Sequence, residues 1–218
     1  MAPRCREYLS PFEEPADIVI SDKDYCLGNW ENTSYEMACY MESGRIFYWE
    51  LPRFSGMMLH ASALEYKGKA YLFSGPSTVG KSTHTRQWQQ TFGSAVCVFN
   101  DDKPALRRID GKWYAYGTPW CGKDGINRNI KAELGGICFL KQGTENKIRS
   151  LSSREAILAI FSQTAKKFSG IENMEQLLQL IEYLVQEIPI YELENFPGEE
   201  AAYLSYSAML ENEQEKIP

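Results

Sequence analysis

The sequence predicts an α+β fold, a mixed and largely antiparallel β core with one embedded helix and further helices at the C-terminal end. Three observations carry that prediction. Apolar or aromatic runs flank tight two-residue turns at Lys67-Gly68 and Asp110-Gly111, the pattern of β-hairpins. A strand-like run, Lys69–Ser74, leads through a glycine-bounded loop into Ser82–Thr91, which has no Gly or Pro and can be a helix. Leucines and isoleucines at helical spacing dominate only after about residue 150.

Taken in order, residues 1–52 read as a β-rich N-terminal part. Within it, Ser43-Gly44 lies between the aromatic runs MACYME and RIFYWEL and predicts a hairpin over Tyr35–Leu51. Met57–Tyr66 and Lys69–Ser74 form the next hairpin, and Ala95–Phe99 is a short buried strand. Ala105–Ile109 and Lys112–Tyr116 pair across Asp110-Gly111, and Gly135–Lys141 is one more apolar strand. Residues 150–218 are mainly helical. Ser152 and Glu155 form a capping box opening a helix through about Phe168. A second helix, Asn173–Ile188, carries Leu177, Leu178, Ile181 and Leu184 on one face and stops at Pro189. Ile190–Leu193 follows as a short strand, then a last helix from about Pro197 to Glu211. No repeat or low-complexity linker divides the chain, so 1–218 is read as one domain.

Composition excludes several classes. A formal net charge of −6 disfavours non-specific nucleic-acid binding, which selects basic surfaces. No apolar run reaches the roughly 20 residues of a membrane span. The six cysteines are scattered without a C-x-x-C pair or a Cys/His cluster, which points to neither zinc nor a disulfide framework. The expected address is the cytoplasm, with reduced thiols.

Gly75–Ser82 reads G-x-x-x-x-G-K-S, the pattern of a turn whose backbone N–H groups wrap phosphates. Gly75, Pro76, Ser77, Thr78, Val79, Gly80, Lys81, Ser82 and Thr83 are therefore the candidate nucleotide-binding residues. Lys81 reaches the β- and γ-phosphates as a point charge, and the Ser82 hydroxyl can ligate Mg²⁺. Thr78 stands where many such loops have a second glycine. A β-branched residue resists positive φ, so either φ stays negative there or the loop is altered. After the AVCVF run come Asp101 and Asp102, carboxylates able to divide the work of holding a metal and accepting a proton. Successive strand residues face opposite ways, so both can act only if the chain turns there. Of the two histidines, His84 reads as a surface residue of the presumed helix.

LHAS at Leu59–Ser62, GPSTVGKST at Gly75–Thr83 and NDD at Asn100–Asp102 occur in that order. Together they resemble the C-terminal catalytic domain of HPr kinase/phosphorylase and, more distantly, the nucleotide-binding core of ATP-dependent phosphoenolpyruvate carboxykinase. The resemblance covers about 45 residues strongly and implies a mixed, largely antiparallel fold. It implies ATP as phosphoryl donor, Mg²⁺ as bridge and a serine hydroxyl of a peptide or small protein as acceptor. It also brings His60 near the metal or the acidic pair. Related kinases assemble into rings, so a homo-oligomer is a possible state. On this resemblance the family's regulatory N-terminal domain is expected to be missing, its second signature segment is not recognised, and the chain looks more like the small stand-alone members.

On that basis Ser82 and Asp102 are expected to hold the metal, Asp101 to take the proton and His60 to orient or tune the pair, with the reverse assignment of the two aspartates left open. Gly117–Asn129, GTPWCGKDGINRN, resembles a recurrent segment of the small relatives. From Lys103 to Lys131 there are seven basic residues against two acidic ones. Lys123 is the candidate phosphate or substrate ligand there, and Arg128 the candidate arginine finger. Two other functions remain open: phosphorolysis of a phosphoserine at the same site, and nucleotide binding without catalysis.

Overall fold

The computed structural model describes residues 2–10, 15–26, 30, 32–167 and 171–214. Nine strands form one sheet: β1 (Gly56–Met58), β2 (Ala61–Tyr66), β3 (Lys69–Ser74), β4 (Val96–Asp102), β5 (Ala105–Ile109), β6 (Lys112–Tyr116), β7 (Lys131–Gln142), β8 (Lys147–Ser150) and β9 (Ile190–Asn195). Among the described residues the helices longer than two turns are α1 (Tyr35–Glu50), α2 (Lys81–Phe92), α3 (Ser153–Gln163), α4 (Ile171–Glu187) and α5 (Glu199–Gln214). The order across the sheet is β1-β5-β6-β7-β3-β2-β4, with β9 joining β7 and β8 joining β9. Only β3–β7 and β7–β9 are parallel. The fold is thus α+β with a largely antiparallel sheet.

Side chains alternate between two cores. Ala63 and Leu72 face one cluster with Ile160 of α3 and Leu177, Ile181 and Leu184 of α4. Their neighbours Leu64, Tyr71 and Phe73 face the other, with Trp88 of α2 and Ala202 and Met209 of α5. Period-two alternation in a sheet buried on both sides needs a helix layer on each. No helix among the described residues is long and apolar enough to cross a membrane.

The hairpin cues at Lys67-Gly68 and Asp110-Gly111 lie in turns, with Lys67, Gly68, Asp110 and Gly111 all at positive φ. The N-terminal reading is corrected. Tyr35–Glu50 is one helix rather than a hairpin, and no strand occurs among the described residues before Gly56. The Ser34 hydroxyl caps it by accepting from the Met37 N–H at 3.3 Å. Gly44 is not a turn residue. The Trp120 ring lies against it, and a Cβ there would stand 2.6 Å from Trp120 Cδ1. The helix opened by the Ser152–Glu155 box ends at Gln163, and Phe168 lies outside the described residues. In α4, Leu177, Ile181 and Leu184 form the buried stripe as expected, with Leu180 beside them, while Leu178 is 40% exposed.

Helix α1 is anchored by a fully buried carboxylate, Glu42. It accepts from Trp30 Nε1 and the Cys26 N–H, both at 2.9 Å, and from the Arg45 guanidinium. Burial alone would raise its pKa, but these donors outweigh burial and hold it at about 2. A depressed folded-state pKa gives stability that is present above the unfolded value and is lost as pH falls through the folded one. Glu42→Gln is therefore expected to cost about 2 kcal/mol at pH 7. Urea unfolding from pH 7 downward should show that difference shrink between about pH 4.5 and pH 2. A difference independent of pH would contradict the assignment.

Candidate active site

The site is set by the register of β2, which lies between β3 and β4. Ala61 pairs with Ser74 on one side and with Asp102 on the other. His60, just before Ala61, the loop beginning at Gly75 and the acidic pair therefore emerge at one end of the sheet. Ser74 Oγ donates to His60 O at 2.9 Å and ties two of these segments together.

The Gly75–Lys81 turn uses its glycines as the pattern requires. Gly75 has φ +136° and Gly80 +109°. A Cβ on Gly75 would also stand 3.0 Å from the Leu140 carbonyl oxygen of β7. Thr78 takes the strained alternative, with φ +70°. Helix α2 starts at Lys81, so its free N–H groups face the turn. Lys81 Nζ bends back across the turn to donate to Gly75 O (3.0 Å) and Pro76 O (3.1 Å). Burial lowers the Lys81 pKa, opposed by the charges of Asp102 and Asp101.

The acidic pair separates into two contacts. Ser82 Oγ lies 3.0 and 3.1 Å from the two Asp101 carboxylate oxygens and donates to them. Asp102 has φ +125°, so the chain does turn there and the second carboxylate swings elsewhere. Its Oδ1 meets His60 Nε2 at 2.9 Å, and its Oδ2 meets Lys103 Nζ. Burial would raise the Asp102 pKa, but the His60 hydrogen bond and the Lys103 charge bring it down to about 2. A carboxylate only accepts, so His60 Nε2 carries a proton. The Gln163 side-chain amide lies on the far side of the ring, with Oε1 3.1 Å from Nδ1. The expected partnership of Ser82 with Asp102 is not what the structure contains: Ser82 meets Asp101.

A buried amide supports the turn at Asp102. Asn100 Nδ2 donates to the carbonyls of Thr118 (3.0 Å) and Trp120 (3.1 Å), and Asn100 Oδ1 accepts from the Lys103 N–H at 2.8 Å. Lys103 O in turn accepts from Tyr48 OH (2.7 Å) and Thr118 Oγ1 (2.8 Å). Helix α1, which supplies Tyr48, thus helps to hold the acidic pair. The Gly117–Asn129 segment closes over Asp101 through its backbone. Gly122 N–H donates to Asp101 O, Asp101 N–H to Ile126 O (3.2 Å) and Arg128 N–H to Phe99 O (2.8 Å). The side chains of Lys123 and Arg128 are exposed and make no hydrogen bond or ion pair with the acidic pair, Lys81 or Ser82 among the described residues.

Sequence reading passed over Gln163 and Lys103 as site residues. Lys103 had a signal, a cation directly after two aspartates; Gln163, brought in from the end of α3, had none. His84 is corrected from surface to core. It is fully buried and lies 3.2 Å from Asn195 Oδ1 and 3.1 Å from Ser205 Oγ, because α5 covers that face of α2. Burial pushes its pKa down to about 4, with the Asn195 bond opposing.

Gly122 is a close-approach glycine. A Cβ there would stand 2.9 Å from Asp101 O and 3.4 Å from Asp102 Cβ. Gly122→Ala is expected to cost about 1–3 kcal/mol in chemical denaturation, as other forced contacts do. A neutral effect would mean that the segment does not sit against the acidic pair.

No curated protein matches the chain. Among solved structures, the HPr(Ser) kinase/phosphatase from Coxiella burnetii is similar at a TM-score of 0.42 and 13% identity, over 73% of this chain and 92% of that one. A likeness at that level supports no functional conclusion. The family model described as SynChlorMet cassette protein ScmC matches residues 26–198, well over half of the sequence. The chain belongs to the SynChlorMet cassette protein ScmC family.

Proposed function

We propose that the chain is a phosphotransferase that uses MgATP to phosphorylate a hydroxyl, most simply a serine of a peptide or small protein. One observation carries the reading: Ser82 meets Asp101, beside His60 on Asp102, at a turn whose lysine bends across it. The three motif resemblances point to the same chemistry.

Ser82 and Asp101 offer hard oxygen donors within hydrogen-bond distance of each other. No group of three or more His, Cys, Asp or Glu suited to a metal occurs among the described residues. That donor set fits Mg²⁺, which keeps much of its water and takes phosphate oxygens, better than a metal needing a closed protein cage. Ser82 and Asp101 would hold the ion, which would supply charge neutralisation at the phosphates. The turn's N–H groups and the α2 N-terminus cradle the β- and γ-phosphates, and Lys81 leaves its carbonyl partners to meet them.

In this reading the two aspartates exchange the roles expected from sequence. Asp101, touching Ser82, is the metal-side carboxylate. Asp102 is the proton acceptor for the attacking hydroxyl. Held at about 2, its carboxylate is fully ionised at neutral pH. It is a weak base, suited to a late proton transfer after the acceptor oxygen has begun to bond to phosphorus. His60 orients it, and Gln163 orients His60. Lys123 and Arg128 are assigned to capture of an acceptor or its phosphate. A second reading, nucleotide binding without transfer, draws on Asp102 itself: both its oxygens are already engaged, by His60 and Lys103.

Labelled ATP offered with a serine-peptide library separates these readings. Asp102→Asn is expected to reduce transfer about 100- to 10,000-fold, the range for loss of a positioned base. It should leave MgATP affinity within about threefold, well inside the tenfold that 1.4 kcal/mol represents. Asp101→Asn should instead weaken ATP binding in Mg²⁺ while sparing the metal-free affinity. Normal transfer by Asp102→Asn overturns the base assignment. Wild-type protein that binds MgATP but labels no peptide favours the second reading.

A further inference from the structure

A cleft of about 770 Å³ opens between the N-terminal segment, α1 and the β5–β6 hairpin, away from the glycine-lysine turn. Its walls are mostly apolar, with the rings of Phe47, Tyr116 and Trp120 and the side chain of Ile18 among them. Phe47 and Trp120 lie against each other, ring centroids 4.9 Å apart at 30°. The volume falls within the range of small-molecule sites. Two charged side chains also line it, Arg107 and Asp17.

Arg107 stands in β5, half-buried, opposite Gly56 and Tyr114. Only its Nε is engaged, donating to Phe54 O at 3.1 Å. The terminal nitrogens have no hydrogen bond or ion pair among the described residues. Asp17 is exposed, so the half-buried guanidinium dominates the local field, since charges in contact with water are screened more strongly. A planar cation with free donors beside an aromatic wall is suited to an anion carried on an apolar body.

We propose that this cleft is a binding site for a small amphipathic monoanion, its ring or chain against Phe47, Tyr116 and Trp120 and its anionic group on Arg107. Thr118 lines the same cleft and hydrogen-bonds to Asn100 and to Lys103 O. The occupant is therefore one side chain removed from the residues that fix the acidic pair. The proposal goes beyond phosphoryl transfer and does not depend on it; a chain that bound no nucleotide could still carry this site.

Two matched fluorescent probes test it on the intact chain: 1-anilinonaphthalene-8-sulfonate, an aromatic monoanion, and N-phenyl-1-naphthylamine, the same rings without charge. Wild type should bind both saturably. Arg107→Gln should weaken the sulfonate about tenfold, equivalent to 1.4 kcal/mol, and leave the neutral probe within about twofold. Phe47→Ala should weaken both, and near-UV circular dichroism checks that each variant is folded. Saturating MgATP should leave both affinities unchanged. Unsaturable binding by folded wild type, equal weakening of the two probes by Arg107→Gln, or displacement of the sulfonate by nucleotide would each overturn the proposal.

Discussion

The site depends on one backbone constraint, the double pairing of Ala61. A strand in the interior of a sheet has a fixed register on both edges, and slipping either by one residue would turn its side chains to the wrong core. Ala61 opposes Ser74 and Asp102 at once, so His60, the glycine-lysine turn and the acidic pair leave the sheet at the same end. Their convergence follows from hydrogen-bonded strands rather than from loops. It is held by apolar side chains on both faces, Ala63 and Leu72 on one and Leu64 and Phe73 on the other.

Against that rigid frame the backbone carries local strain where the chemistry is proposed. Thr78 and Asp102, neither of them glycine, have φ +70° and +125°. Each such residue costs on the order of 1–3 kcal/mol and persists only where its surroundings over-determine it. Around Asp102 the over-determination is visible. Asn100 grips the Lys103 N–H and two carbonyls of the Gly117–Asn129 segment, and Tyr48 and Thr118 both grip Lys103 O. With this turn in place, adjacent carboxylates work in different directions, one on Ser82 and the other on His60.

What was legible in the sequence was local. Two-residue turns with glycine between apolar runs fix their own hairpins, and Ala105–Ile109 with Lys112–Tyr116 needed nothing from elsewhere in the chain. The glycine-lysine turn likewise carries its geometry in its residues. What was not legible came from distant packing. Ser43-Gly44 resembles a turn unless one knows that Trp120 packs on Gly44 inside a helix. His84 looks like a surface residue until α5 covers it with Ser205. The exchange of partners between Asp101 and Asp102 turns on a single dihedral angle, and Asp102, unlike Asp110 before Gly111, has no following glycine to mark it for a positive φ. Gln163 reaches His60 across more than a hundred residues of chain.

The measurement closest to the central claim is calorimetric titration of the chain with ATP, with and without Mg²⁺. If the turn, the tandem carboxylates and the imidazole serve one metal-bound triphosphate, ATP should bind saturably and clearly more tightly with the ion present. Heat indistinguishable from dilution under both conditions, or an affinity indifferent to Mg²⁺, would contradict the account.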